Sequence, residues 1–315
     1  MKKAIVIGAC GQDGYFLSNS LEKKGYTVIR VDQNNNISEL KYLPHNDFNI
    51  CNSSHVDRLV KKHKPNEIYH LAAFNQSAQD NYYETLSIFN QSIVVHEVSL
   101  FNFLTSIVKY SPFTKLFYAA SSHIFGDPPT EVQDENTPIN PISLYGITKA
   151  SGIFLCRKFR KEHGIFAASG ILYNHESSRR PINFLSKKIV SGALATHKGS
   201  LKKLELGNLD SVVDWGYAPD YVEAMIKILA LPKPYDLIIA TGKKHSVKDF
   251  VSAAYAAIGL DWNMFVTQKK ELIKRITKPL IGNPTKIKEV TGWVPSITVE
   301  EMVKSLVEEG RLSDQ

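Results

Sequence analysis

The sequence has little cysteine. Its 315 residues include only Cys10, Cys51 and Cys156, and no two of these are spaced as a pair. Zinc sites and disulfide frameworks need closely spaced or repeated cysteines. The pattern therefore argues against both and predicts no metal site. It fits a reducing compartment, and we expect the protein to be cytoplasmic.

Long apolar runs, internal repeats and low-complexity tracts are also missing. The start, Met1-Lys2-Lys3, resembles the basic end of a signal peptide, but Gly8 interrupts the apolar run Ala4 to Ile7 and no cleavage site follows. We predict no membrane-spanning segment and no membrane partner.

Charge is not concentrated in any one part of the chain. The net charge is +7, and the basic residues are spread throughout the sequence. A nucleic-acid-binding protein more often carries a concentrated basic patch. We therefore expect no nucleic-acid partner, and mild basicity suits a small substrate that carries a diphosphate.

A glycine-rich turn follows the first apolar run. Ala4 to Ile7 is typical of a buried parallel strand, and a helix-like pattern begins after Gly14. The turn between them, GACGQDG, has the spacing GxxGxxG, a variant of the dinucleotide fingerprint. Glycines let the backbone approach a pyrophosphate, and the helix N-terminus faces its negative charge. The predicted cofactor-binding residues of this turn are Gly8, Gly11, Gln12, Asp13 and Gly14.

An acidic residue follows the second predicted strand. Thr27 to Val31 leads into Asp32, about 20 residues after the turn. Its carboxylate would accept hydrogen bonds from the adenosine ribose and repel a 2′-phosphate. NAD is therefore favoured over NADP, although Arg30 close by leaves NADP open.

Two more segments are predicted to border the cofactor. Residues 48–52 are interpreted as the end of a third strand that flanks the adenine through Asn49 and Ile50. Residues 67–71 are predicted to be the fourth strand, after which small residues let a cofactor lie against the backbone. The predicted contacts here are Leu71, Ala72 and Ala73.

Strands and helices alternate along most of the chain. A helix is predicted from Glu84 to Tyr110, and further strands at 115–120, 166–171 and 237–242. This order predicts an α/β fold, a Rossmann-type doubly wound parallel sheet. After residue 172 the sequence becomes more polar. We predict an NAD-binding domain of residues 1–172 plus about 215–242. A smaller α/β substrate-binding lobe, interleaved in sequence, takes about 173–214 plus 243–315.

Tyr145 and Lys149 are four residues apart, which places them on one face of a helix. A lysine ammonium lowers the pKa of a nearby tyrosine. Such a tyrosine can remove the proton of a secondary alcohol while a hydride leaves the same carbon. Ser121 ends the preceding apolar strand and would hold the same hydroxyl. Both Tyr145 and Lys149 are also predicted to contact the cofactor. The alternative is an exposed helix that carries these residues by chance.

A polar segment, residues 173–181, reads YNHESSRRP. It has neither helix nor strand periodicity, and its paired arginines suit phosphate oxygens. We interpret it as a ligand-facing loop; the alternative is a solvated loop.

With these motifs the chain resembles the extended short-chain dehydrogenases/reductases of nucleotide sugars, and within them the GDP-mannose 4,6-dehydratase family. The motifs that carry the resemblance are the glycine-rich turn, YxxxK, NHESxRR, GNLD with DWG, and DYVEAM. The resemblance implies a GDP-sugar substrate and a homo-oligomer, either a dimer or a tetramer. The substrate-binding residues it implies are Ser122, Asn174, Glu176, Arg180, Lys188, Asn208 and Arg275.

The chain departs from this family at His123. The family has a glutamate there, to which it assigns proton abstraction at C5 and elimination across C5 and C6. Val213 likewise replaces a basic residue that precedes DWG in the family, and the stretch around Arg275 is altered. Ser121 replaces a threonine and keeps the hydroxyl. The predicted catalytic residues are thus Ser121, His123, Tyr145 and Lys149.

We therefore expect NAD-dependent oxidation at C4 of a GDP-sugar, GDP-manno-heptose or GDP-mannose, for bacterial surface (capsular) polysaccharide synthesis. A relative of a GDP-manno-heptose 4-dehydrogenase would stop at this ketone. Histidine titrates near neutral pH and can act as a base, so a 4,6-dehydratase that uses His123 is the alternative. A 4-epimerase or reductase and a non-catalytic NAD sensor are further alternatives, and His123 could simply fill space beside the sugar.

Overall fold

The computed structural model describes residues 1–33, 48–74, 85–272 and 278–313. The β-strands in these ranges are β1 (Lys3–Ile7), β2 (Thr27–Val31), β3 (Glu67–His70), β4 (Lys115–Ser121), β5 (Val132–Gln133), β6 (Ala167–Leu172), β7 (Asn174–Glu176), β8 (Leu204–Leu206), β9 (Val212–Val213), β10 (Trp215–Tyr217), β11 (Asp236–Ile239), β12 (His245–Ser246), β13 (Val266–Gln268) and β14 (Ile281–Gly282).

The α-helices in the described ranges are α1 (Gln12–Lys23), α2 (Ser53–His63), α3 (Leu86–Ile93), α4 (Ser99–Tyr110), α5 (Leu144–His163), α6 (Leu185–His197), α7 (Ala218–Ala230), α8 (Val247–Ala256), α9 (Thr285–Thr291) and α10 (Val299–Ser313). A π-helical segment, Val94–Val98, joins α3 to α4. Short 3₁₀ turns lie at Ser122–Ile124, Trp262–Met264 and Lys270–Leu272.

Six strands form one parallel sheet in the order β11-β6-β4-β3-β1-β2. These strands are almost wholly buried, as expected for a parallel sheet covered on both faces. Side chains of α2, α4 and α5 pack on one face of the sheet. Those of α1, α7 and α9 pack on the other. The prediction of a doubly wound Rossmann-type sheet is confirmed.

A third apolar cluster lies outside this sheet. It joins α6, α8 and α10 with β8 and with Trp215 of β10. Short two-stranded pairings, β7 with β10, β8 with β13 and β9 with β12, accompany it. The residues of this cluster come from two separate parts of the chain, 189–215 and 247–307. The domain boundaries themselves stay predictions.

One predicted strand is wrong. Residues 48–52 form a turn instead of a strand end. The Asn49 side chain accepts a hydrogen bond from the Cys51 N–H at 2.8 Å, and the Asn52 side chain accepts from Ser54 and His55 as the N-cap of α2. Asparagine in such positions stabilises turns and helix starts, which outweighs the strand preference of its apolar neighbours.

The expectation that no stretch is long and apolar enough to span a membrane is wrong. Within the described ranges, the helical stretch Leu86–Tyr110 is long and apolar enough, by length and composition, to cross a membrane. Half of its most apolar 18-residue window is buried inside the protein. Leu100, Phe103 and Ile107 are fully buried against the sheet. The buried side of this helical stretch is therefore part of the protein core.

Candidate active site

The glycine-rich turn packs as tightly as the fingerprint requires. Gly8 adopts a φ of +85°, which favours glycine. A Cβ on Gly14 would overlap the Gly8 carbonyl oxygen and the Ala9 Cα. The Gly11 N–H donates to the same Gly8 oxygen at 3.1 Å. The turn thus holds the start of α1 directly above the end of β1, and its lack of side chains fits a bound dinucleotide pyrophosphate.

We predict that Gly14→Ala disrupts this turn. The added methyl group meets backbone atoms that cannot move aside, so we expect a loss of about 1–3 kcal/mol in unfolding free energy and weaker NAD binding. Thermal unfolding and NAD titration test this. Lys23→Ala changes an exposed residue of the same helix and should alter neither quantity; equal effects of the two variants would contradict the argument.

Asp32 stands at the predicted ribose position, at the end of β2. Its Oδ2 accepts the Cys10 N–H at 2.9 Å, which ties the glycine-rich turn to the second strand. Arg30, the residue that left NADP open, is buried and paired. Its two terminal nitrogens donate to both Glu22 carboxylate oxygens at 2.7 and 2.8 Å. The Arg30 guanidinium is therefore already paired with a carboxylate of α1.

The other predicted cofactor residues border the same edge of the sheet. Leu71, Ala72 and Ala73 follow β3 directly, and the Ala72 backbone lies against Gly8. Of the two predicted adenine contacts, Ile50 accepts a hydrogen bond from Asn102 of α4 through its carbonyl oxygen. Asn49 is exposed beside it. The predicted contacts that follow β1, β2 and β3 thus share the carboxyl edge of the sheet, where ligands bind in open parallel sheets.

Ser121, Tyr145 and Lys149 come together at the carboxyl end of β4. Ser121 is the last residue of β4, and the other two lie in the first turns of α5. The Ser121 and Tyr145 side chains share a hydrogen bond. The Lys149 Nζ lies 5.7 Å from the Tyr145 ring centroid and donates to the Ala119 carbonyl oxygen at 2.8 Å. Lys149 is almost wholly buried.

The expected lowering of the tyrosine pKa by lysine is not observed. Burial raises the pKa of Tyr145 to about 12, and its hydrogen bond with Ser121 and the charge of Arg180 act against this rise. Burial also lowers the pKa of Lys149 to about 7, which the charge of Asp13 partly opposes. Lys149 is therefore partly uncharged at neutral pH, because the interior stabilises its ammonium form poorly. The sequence could not reveal this burial.

Two histidine rings flank the Tyr145 ring. His123 is exposed and meets it edge-to-face at 5.6 Å between centroids. His96, on the π-helical segment, meets it at 5.4 Å. His96 also accepts the Phe74 N–H at 2.9 Å and bonds to Thr148 of α5 at 2.8 Å.

Sequence reasoning missed His96. Burial holds its pKa well below the ordinary value, so its ring is neutral. It joins the segment after β3 to the catalytic helix. A π-helical turn has no sequence pattern that would have pointed to it, although such turns are frequent at functional sites.

The predicted substrate loop, residues 173–181, lies next to this cluster, but it is not wholly a loop. Residues Asn174–Glu176 form β7, which pairs with β10 and is largely buried. Glu176 is buried in β7, and its Oε2 accepts from the Arg180 Nε at 2.9 Å and the Ser186 hydroxyl at 2.6 Å. Asn174, two positions earlier in the same strand, is exposed. The pairing of Glu176 fixes Arg180, whose guanidinium also lies 4.3 Å from the Phe184 ring centroid. A held guanidinium suits a diphosphate.

The remaining predicted substrate residues are more dispersed. Lys188 is half-buried on the first turns of α6, and Asn208 lies between β8 and β9, where its side chain accepts the Asp210 N–H at 3.0 Å. Ser122 is buried in the 3₁₀ turn after β4. Arg275 lies outside the described residues.

The chain is similar to known proteins over nearly its whole length. The sequence model of the family described as GDP-mannose 4,6 dehydratase matches residues 5–306. GDP-mannose 4,6 dehydratase 2 from Arabidopsis thaliana is 35% identical over 98% of this chain and 86% of its own length. GDP-mannose 4,6 dehydratase from Homo sapiens is 31% identical over 96% and 90%.

Solved structures share the fold. dTDP-glucose 4,6-dehydratase from Bacillus anthracis, in complex with NAD, has a TM-score of 0.82 at 19% identity, covering 100% of this chain and 98% of that one. RMD from Pseudomonas aeruginosa, complexed with NADPH, also reaches 0.82 at 15% identity, covering 99% and 100%. Dinucleotide binding thus recurs among proteins of this fold, with either form of the cofactor.

Proposed function

Because this chain belongs to the GDP-mannose 4,6-dehydratase family, an enzyme family that uses NAD or NADP, we propose that it oxidises C4 of a GDP-sugar. The observation that carries the proposal is the convergence of Ser121, Tyr145 and Lys149 at the carboxyl end of β4. Both the sequence expectation and the family's full reaction begin with this oxidation.

The side chains have distinct roles in this proposal. Bound NAD supplies a hydride acceptor. The Ser121 hydroxyl holds the sugar hydroxyl, and Tyr145 removes its proton as a general base. Lys149, when it carries its charge, stabilises the phenolate form of Tyr145 that accepts this proton. Arg180, fixed by Glu176, holds the diphosphate and adds a positive charge that favours deprotonated Tyr145.

A second candidate is the complete 4,6-dehydratase reaction, and the family match favours it over arrest at the ketone. In this version His123, beside Tyr145, takes the C5 proton that the family assigns to glutamate, and water is lost across C5 and C6. An exposed imidazole is chemically able to accept a proton near neutral pH. The proposal that the reaction stops at the ketone rests only on the replacement of the family's glutamate by His123.

NAD is the proposed cofactor. Asp32 would accept hydrogen bonds from the ribose hydroxyls, and its charge would repel a 2′-phosphate. The buried pairing of Arg30 with Glu22 leaves that guanidinium committed elsewhere, which supports NAD over NADP.

The substrate is proposed to be GDP-mannose or GDP-manno-heptose, used in the cytoplasm for surface polysaccharide synthesis. Purified protein is mixed with NAD and each sugar nucleotide, and reduced cofactor and product mass are followed. A product lighter by two hydrogens, with reduced cofactor formed, indicates C4 oxidation that stops at the ketone. A product lighter by one water, without net reduction, indicates the dehydratase. Unchanged substrate in both assays contradicts the proposal.

A homo-oligomer, either a dimer or a tetramer, is proposed, with one contact through the outer face of two neighbouring helical stretches. Val98 and Phe101 on one stretch, and Ile147 and Phe154 on α5, are exposed apolar side chains. Phe101 also contacts Phe159 of α5, so the two stretches adjoin. An apolar surface of this kind is unfavourable when it is exposed to water, and a second copy of the chain would cover it.

We predict that Phe101→Lys combined with Phe154→Lys halves the mass measured by sedimentation. Lysine is strongly hydrated and does not favour burial in an apolar contact. Met264→Lys, an exposed apolar position in the other lobe, is the matched control and should leave the mass unchanged. A wild-type protein that sediments as a monomer would contradict this prediction.

A further inference from the structure

The first turn of α1 and the predicted substrate loop are joined by a partly buried charged contact. His175 is the middle residue of β7, and its Nε2 lies 3.0 and 2.9 Å from the two carboxylate oxygens of Asp13. Its other ring nitrogen lies 2.7 Å from the Tyr173 carbonyl oxygen. Both ring nitrogens therefore face acceptors, and the geometry fits a doubly protonated imidazolium.

The surroundings hold this pair in the charged form. Asp13 raises the pKa of His175 against the effect of burial, and His175 lowers the pKa of Asp13. The Tyr221 ring of α7 stacks on the His175 ring at 4.5 Å between centroids. The imidazole thus contacts a carboxylate, a carbonyl oxygen and an aromatic ring, and these three contacts fix its orientation.

Further contacts join the same two segments. The Gln12 side chain donates to the His175 carbonyl oxygen at 3.0 Å and accepts from the Ser177 hydroxyl at 2.7 Å. The Arg179 guanidinium lies 3.9 Å from the centroid of the Tyr15 ring. Three side chains from the start of α1 thus contact residues 175–179.

This junction has an electrostatic consequence. The N-terminus of α1 is the predicted pyrophosphate site, and a lone Asp13 carboxylate there would repel an anionic ligand. His175 neutralises that carboxylate. His175 lies in the same segment as Arg180, which is predicted to bind the sugar diphosphate. The position of this segment therefore determines how well His175 neutralises the charge of the Asp13 carboxylate.

We propose that His175 is a positioning residue that couples the two binding sites, so that the nucleotide portion of the substrate tightens NAD binding. This inference rests on the proposed function, which assigns both ligands. Because coupling is reciprocal, NAD must tighten nucleotide binding by the same factor.

The experiment measures the NAD dissociation constant by calorimetry, with and without saturating GDP. The wild-type ratio should be at least about fivefold, at the lower end of typical allosteric coupling. His175→Phe keeps the ring that stacks on Tyr221 but removes both N–H donors, and the ratio should fall to about one. His197→Phe changes an exposed histidine of α6 and should keep the wild-type ratio.

A merely structural role would weaken NAD binding by the same factor with and without GDP, and the ratio would stay unchanged. That result, or a wild-type ratio of one with both ligands binding, overturns this inference and leaves the proposed function standing. A wild-type protein that binds neither ligand overturns both.

Ser177→Ala is the milder second variant. It removes a hydroxyl that donates to Gln12 and accepts the Arg179 N–H, and it tests the coupling if His175→Phe does not fold. Its ratio should fall between that of the wild type and one; a ratio equal to the wild type's would count against the coupling.

Discussion

Tyr145→Phe should reduce kcat for C4 oxidation by about 10²- to 10⁴-fold, the usual contribution of a positioned general base. The substitution removes one oxygen atom and keeps the ring that packs between His96 and His123. Binding of NAD and of GDP should therefore be retained. Steady-state kinetics and calorimetry measure the two effects separately.

Tyr235→Phe is the matched control, since it removes a phenol oxygen just before β11, and it should leave kcat unchanged. This prediction also separates an enzyme from an NAD-sensing protein. A sensor would keep its full binding response in the Tyr145 variant and have no turnover to lose. Wild-type kcat in Tyr145→Phe would remove this tyrosine from the mechanism.

His123→Glu should raise the rate of water loss at least about tenfold. General acid–base groups contribute about 10²- to 10⁴-fold, and the substitution restores the carboxylate to which the family assigns proton abstraction at C5. His123 is exposed and lies beside the Tyr145 ring, so a glutamate there is accommodated without burying a charge. The share of product lighter by one water, read by mass spectrometry, is the measurement.

His123→Gln is the comparison that separates the two candidate reactions. If the wild type stops at the ketone, the glutamine variant gives the same ketone. If the wild type is a dehydratase with His123 as its base, the glutamine variant loses dehydration and accumulates ketone. Identical product mixtures from wild type, His123→Gln and His123→Glu would show that this position transfers no proton and only fills space.

The fold was largely predictable because its signals are local. Apolar runs separated by helical stretches predicted the parallel sheet, and the glycine-rich turn at Gly8 has the tight packing that its spacing predicts. Predicted and observed strands differ mainly by a residue or a few at their ends, as with 166–171 against Ala167–Leu172. The failure at residues 48–52 had a local cause too, because the asparagine side chains satisfy the backbone of a turn.

The contacts that complete the site were not predictable, because they join distant parts of the chain. His175 meets Asp13 across 162 positions, and His96 meets Thr148 across 52. The pKa of Lys149 falls because of tertiary burial, which no spacing of residues reveals. Sequence reasoning named the groups that are proposed to carry the chemistry, whereas the side chains that contact and orient them became visible only in the folded chain.

The most direct test of the central claim uses GDP-mannose or GDP-manno-heptose carrying deuterium at C4, with the wild-type enzyme and NAD. Oxidation at C4 must break this carbon–deuterium bond. We predict that deuterium leaves C4, and that it is found either in the reduced cofactor, if the reaction stops at the ketone, or at C6 of the product, if dehydration follows. A turned-over product that still carries its deuterium at C4 would contradict the proposed function.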